Sequence, residues 1–377
     1  MALSTKITFS EEQAMLQDVA VSFCREKVSI GEVRRQIASD SGFDRELWKE
    51  ISELGWLAVA VPEEFGGTGL SLAEVVSIVE PMGRHLAGTP FVSTQLFTQG
   101  VLAGGSDELK AELLPKICEG AVGTVALFER DGDWDLDHIE ATATIDGDKA
   151  RLGGAKTLVC DASVAEHFLV SVQLSGAPAL AILSAGDLPR ERRRRETVID
   201  ETRRSFTLDL TGVTIPRSAL VSGDKAKSAL NAIRNAALLL SSAEAAGGIA
   251  GTLELIVGYL NERKAFGKKI GSYQSLKHTC SDILIGLERA RSHVYHAASL
   301  IAAGEDAEVA LRMAKVEAGD SFVFAGDRSI QFHGGFGFTF DCDGQLFLRR
   351  ALWLQYAFGD AAHHRRRLAD LLLPVAS

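Results

Sequence analysis

A chain of 377 residues is too long for one small core and suits two or three domains. Its 46% hydrophobic and 24% charged residues are ordinary for a soluble globular protein, and a net charge of -10 sets the whole molecule against nucleic acid and anionic membrane. Any anionic ligand must therefore be met by local basic groups.

No apolar run, 236–240 or 371–373 included, approaches the roughly 20 residues that cross a bilayer. Residues 1–10 lack the apolar core of a signal peptide. Cys24, Cys118, Cys160, Cys280 and Cys342 are scattered, with neither a disulfide framework nor metal-ligand spacing. The expectation is a reduced cytoplasmic protein with buried structural thiols, no metal and no membrane insertion.

In chain order, residues 10–119 read as helical. Ser10 with Gln13 is a capping-box start. Leu47, Trp48, Ile51 and Leu54 fall on one helix face. The glycines of 66–69 break the helices, and Ser71 starts another. Residues 121–221 turn to strand composition at 141–145, 167–172 and 205–210, with Asp146-Gly147 as a hairpin turn. The arginine run 190–195 reads as a solvated loop, against the sharper reading of a phosphate contact. From 225 the chain is helical again. His363-His364 and Arg365–Arg367 read as basic residues at a helix C-terminus, and adjacent histidines lack the i,i+4 spacing of a helical metal pair. The order implies an α+β multidomain protein: an N-terminal helical domain over 1–120, a middle β-domain over 121–222 and a C-terminal helical bundle over 223–377.

Two strings carry more information. In 259–274, Tyr259 and Arg263 share a helix face, Phe266-Gly267 closes the helix and Gln274 opens the next. An arginine at a helix end beside a glycine break is well placed to grip a pyrophosphate. In 331–338, Gln331 precedes Gly334, Gly335 and Gly337, whose bare backbone permits close approach of a cofactor. Arg349 follows. Together with the helix-to-loop segment 56–69, these strings closely resemble the acyl-CoA dehydrogenase family over essentially the whole chain. The resemblance implies an N-terminal helical domain, a β-domain and a C-terminal four-helix bundle that forms tetramers. It implies FAD as cofactor, an acyl-CoA substrate and electron-transfer flavoprotein as partner. It also implies cofactor-binding roles for Arg263, Phe266, Gln274, Gln331, Gly334 and Gly335.

The departures from the family pattern are as telling. The glutamate that removes the α-proton falls at Phe358, which cannot accept a proton, and the threonine after it falls at Asp360. The alternative base position on the preceding long helix falls at Ala237. Glu244 lies two turns on from Ala237, about 10 Å away, in a stretch of small apolar residues. It is a weak substitute base whose simpler reading is a paired structural carboxylate. On the flavin-ring side, Phe128 replaces a threonine and Leu158 a tryptophan. The motifs that reach a neighbouring subunit's FAD are thus intact, while the chain's own ring site is degraded. That pattern resembles the non-catalytic subunits of heteromeric, steroid-side-chain-type members. The expected function is to complete the FAD site of a homologous glutamate-bearing subunit. The alternatives are a homotetrameric enzyme with a non-standard base, and a scaffold that has lost flavin.

Overall fold

The structure, a computed structural model, describes residues 10–373, so the leader reading on residues 1–9 lies outside it. The chain opens with α1 (Glu11–Lys27), α2 (Ile30–Ala38), α3 (Arg45–Glu53), α4 (Leu72–Arg84), α5 (Phe91–Gly104) and α6 (Asp107–Cys118). Strands follow: β1 (Gly123–Ala126), β2 (Thr142–Asp146), β3 (Lys149–Gly153), β4 (Ala155–Cys160), β5 (His167–Leu174), β6 (Ala177–Ser184), β7 (Arg193–Arg195), β8 (Ser205–Asp209), β9 (Thr214–Pro216) and β10 (Leu220–Ser222). The remainder is α7 (Asp224–Glu262), the hairpin β11 (Lys264–Ala265) with β12 (Lys268–Lys269), α8 (Gln274–Ala302), α9 (Glu308–His333), α10 (Gly344–Tyr356) and α11 (Ala361–Leu372). Helices, then strands, then helices is the order the composition indicates.

Local chemistry accounts for the element ends. Ser10 and Ser71 each accept a backbone N–H of the first turn, and Gln13 and Glu74 reach back to complete a capping box. Gly147 at φ 62 turns β2 into β3. On α3, Leu47, Trp48 and Ile51 are buried, but Leu54 is 43% exposed because the helix ends at Glu53 and Leu54 is its C-cap.

Packing gathers the chain into two compact units. Among the described residues, one comprises those up to Arg35, Ser71–Ala87 and those from Leu238 onward; the other comprises Gln36–Leu70 and Gly88–Ala237. Within the second, the larger sheet runs β10-β6-β5-β2-β3-β9, and β1 lies parallel to β5. A three-stranded sheet runs β4-β8-β7. Within the first unit, α4 passes against α7 with backbones touching. A Cβ on Gly83 would overlap the Glu244 carbonyl, and one on Gly247 would overlap that of Glu80. This contact explains why 241–251 is built from small residues.

Three expectations need correction. The apolar content of α7 extends beyond 236–240: by length and hydropathy the helix could span a bilayer, yet 89% of its most apolar window is buried inside the protein. The arginine run is solvated at Arg190, Arg194 and Arg195 but is not a loop throughout, and Arg193 is turned inward. Arg193 donates to the carbonyls of Leu188, Ala162 and Ala185 and stacks on Phe168 at 4.8 Å, while 193–195 pair with β8 as an edge strand. The basic residues 363–367 stand in the first two turns of α11, not at a C-terminus, because Asp360 starts a new helix by accepting the His363 N–H at 2.7 Å. Of the cysteines, Cys24 and Cys342 are buried and the other three are half-buried.

Candidate functional site

The two long motifs meet within the first unit. Tyr259, near the end of α7, stacks on His333 at the end of α9, with ring centroids 4.2 Å apart. His333 is buried, and its Nδ1 donates to the Ser329 carbonyl at 2.8 Å, which fixes the ring. Arg263 follows Tyr259 by one turn. Its N–H donates to the Tyr259 carbonyl at 2.9 Å and its own carbonyl accepts from Ile270 at 2.9 Å, so its backbone is held on both sides while the side chain is exposed.

Phe266 and Gly267 form the two-residue tip between β11 and β12, at φ 51 and φ 80. Positive φ at both central residues matches a type I′ hairpin, whose twist suits the flanking strands. The phenylalanine is 95% exposed. Arg263, Lys264, Lys268 and Lys269 flank it, all exposed. Gln274 is the exposed first residue of α8. Gln331, Gly334 and Gly335 are exposed where α9 ends. Gly334 has φ 61, whereas a Cβ on Gly335 would meet nothing of this chain within 4 Å. The chain's own packing does not demand glycine at 335, so the bare backbone there fits the approach of an outside group such as FAD. A basic hairpin beside an open glycine turn is the donor set a pyrophosphate requires.

The candidate base positions are arranged differently. Phe358 lies in the turn between α10 and α11 with left-handed backbone, φ 58, and Ala237 is buried. Glu244 is buried and ion-paired with Arg350, whose guanidinium is wholly buried. Its carboxylate is thus engaged by a structural cation. Asp360 caps α11. Around the same turn, Lys315 donates to the carbonyls of Leu354 at 2.6 Å and Gln355 at 3.2 Å, and His364 Nε2 lies 3.1 Å from the Phe358 carbonyl. Burial lowers Lys315 to about 7 against the pull of Asp360 and Asp320, and lowers His364 to about 3. Neither residue was singled out from sequence for this turn. The adjacent histidines were the available signal, masked by placing them at a helix end.

The ring-side positions lie in the second unit. Phe128 bridges to Thr157, whose N–H donates to the Phe128 carbonyl at 2.9 Å. Leu158 sits at a register shift in β4, at φ 54 and 45% exposed, and its N–H donates to Glu196 at 3.2 Å. Behind them, buried Lys156 donates to Glu129 at 2.7 Å and Ser171 at 2.8 Å. Desolvation lowers its pKa, opposed by Glu129. Asp131, His138 and Glu140 also cluster, but all are exposed, and His138 lies 3.0 Å from Asp133.

Two family models match the chain: acyl-CoA dehydrogenase, N-terminal domain, over residues 10–121, and acyl-CoA dehydrogenase, C-terminal domain, over residues 226–373. Acyl-CoA dehydrogenase IpdE2 of Mycolicibacterium smegmatis is 28% identical over 95% of this chain and 98% of its own length. A solved structure of the Tcur3481-Tcur3483 steroid ACAD superposes with a TM-score of 0.86 at 28% identity, covering 97% of this chain and 98% of that one. The ChsE4-ChsE5 complex from Mycobacterium tuberculosis shares the fold, with a TM-score of 0.89 at 24% identity over 99% and 100% of the two chains.

Proposed function

This chain belongs to the acyl-CoA dehydrogenase family of FAD-dependent oxidoreductases, and we propose that within it the chain is a base-less subunit that completes the FAD site of a homologous, glutamate-bearing partner. The β11–β12 hairpin carries this reading. It holds an apolar side chain out into solvent on a two-residue turn, flanked by four cations, with no acid of its own strands to neutralise them. Such a tip suits insertion into a neighbouring protein surface beside a phosphate-bearing ligand.

The residue roles follow from this placement. Arg263 grips the pyrophosphate of the partner's FAD through its planar fork. Gln331, Gly334 and Gly335 border the adenosine end, and Phe266 with Gln274 packs beside them. Bound FAD supplies the hydride acceptor for α,β-oxidation of an acyl-CoA thioester. Removal of the α-proton falls to the partner's glutamate, because this chain has Phe358 and Ala237 at the two family positions and Glu244 is engaged by Arg350. The name of the Tcur3481-Tcur3483 steroid ACAD, which pairs two components, supports both a heteromer and a ring-bearing acyl group. The cysteines, all present as free thiols, support a cytoplasmic setting.

The test is to purify the chain alone and co-expressed with a glutamate-bearing homologue, measuring flavin content and turnover of straight, branched and ring-bearing acyl-CoAs. Flavin and turnover are expected from the co-assembly alone. Flavin with turnover from the single chain would establish the homo-oligomeric enzyme instead, and absence of flavin from both would establish a scaffold.

A further inference from the structure

We propose that Lys315 and His364 are positioning residues, which together hold the carbonyls of Leu354, Gln355 and Phe358 and so fix the turn that aims residue 358. The clamp is built from three elements. Lys315 on α9 is the cation at the C-terminus of α10, bonding two of the last carbonyls of that helix at 2.6 and 3.2 Å. One turn back on α9, Arg312 directs Nη1 at His364 Nδ1 over 3.2 Å and is itself held by Glu308 at 2.6 Å. Arginine can only donate, so Nδ1 accepts and Nε2 carries the proton that His364 on α11 gives to the Phe358 carbonyl.

The turn needs such restraint. Phe358 has φ 58 and is followed by Gly359 at φ 110. Bulky residues avoid the left-handed region, so surrounding structure must over-determine it. A Cβ on Gly359 would lie 2.8 Å from His364 Nε2, which shows how closely the histidine is seated under the turn. That residue 358 faces the acyl group rests on the family reading above; the clamp itself does not.

Lys315 makes the clamp responsive to pH. The charged and titratable groups around it are Asp360 in the turn, Asp320 and Arg312 on α9, and His363, His364 and Arg365 on α11, with Arg365 paired to Asp320 at 2.6 Å. With its proton held only to about 7, the ammonium loses charge across neutral pH. The amine that remains forfeits the charge-assisted bonds to the two carbonyls.

Hydrogen exchange of the amides of 357–360, corrected for intrinsic rate, reads the clamp directly in the full chain. A local opening leaves Lys315 buried and strips its ammonium of the two carbonyl acceptors, so protonation favours the closed turn, unlike global unfolding, which hydrates the lysine. From about pH 6 to about pH 9 the wild-type turn is therefore expected to lose protection about three- to tenfold. Lys315→Arg, always charged, is expected to keep low-pH protection throughout. Lys315→Met is expected to show high exchange at every pH. A flat wild-type profile, or an arginine variant that follows the wild-type curve, overturns the proposal. Flavin content is no part of this readout, so its failure and that of the proposed function are separable.

Discussion

Glu244 shows how burial and pairing redirect a carboxylate from chemistry to structure. It lies two turns past Ala237 on α7 and is ion-paired with Arg350 in a buried site. Removing one member of such a buried pair is strongly destabilising, so Glu244→Leu should cost about 3–5 kcal/mol in denaturant unfolding. Glu244→Gln should leave turnover of the complemented assembly nearly intact, and a collapse in rate with flavin still bound would make Glu244 the base. Lys315 carries the pH signature of the fold. Its pKa is about 7 when folded against an ordinary 10.5, so between these values the unfolded chain binds the extra proton. Stability from this group therefore rises with pH across that window, by at most about 1.4 kcal/mol per pH unit. Urea midpoints across that range should show this rise in wild type and lack it in Lys315→Met. His364 acts at the other end: folded at about 3 against 6.5, it withdraws stability as pH falls below about 6.5.

At the scale of the element, the β11–β12 hairpin separates folding from assembly. Phe266 is 95% exposed, so Phe266→Ser should shift the unfolding midpoint of the isolated chain by no more than about 0.5 kcal/mol. If the side chain is buried by a partner, the same change removes roughly 1.5–3 kcal/mol of apolar burial, about ten- to a hundredfold in association. Sedimentation of the assembly against partner concentration checks this, and equal affinity for both forms would show that the tip stays in solvent. The hairpin's members were legible in the string from Tyr259 to Gln274. Its geometry was not, because a phenylalanine in the left-handed region has no mark in sequence beyond the glycine after it. The run from His363 to Arg367 failed for the opposite reason. Its composition was plain, but the break that places it in the first two turns of a helix depends on a cap, Asp360, that reads equally well as a loop residue.

For the whole molecule, a net charge of -10 sets the basic hairpin apart as a local exception, alongside the runs 190–195 and 363–367. Arg263 is its most specific member, with a backbone hydrogen-bonded on both sides and a free-standing side chain. Loss of a bidentate phosphate contact costs roughly 1.5–3 kcal/mol. Arg263→Ala and Arg263→Lys assemblies should therefore hold FAD about ten- to a hundredfold more weakly. Equilibrium dialysis of flavin from each assembly gives the answer; unchanged affinity in both would make Arg263 an ordinary surface residue.

The sequence by itself determined the helix–strand–helix order, the capped starts at Ser10 and Ser71, the hairpin at Gly147 and the family, because period, caps and glycine turns are local properties of the chain. Phenylalanine at 358 and alanine at 237, which cannot take a proton in any fold, are equally plain in the string. Tertiary structure alone decided the partners. It joined Tyr259 to His333, gave Glu244 to Arg350, turned Arg193 inward onto Phe168 and set Lys315 beneath the α10–α11 turn. Each of these pairings spans tens of residues or more, and a buried charge finds its counterpart through packing rather than through spacing along the chain.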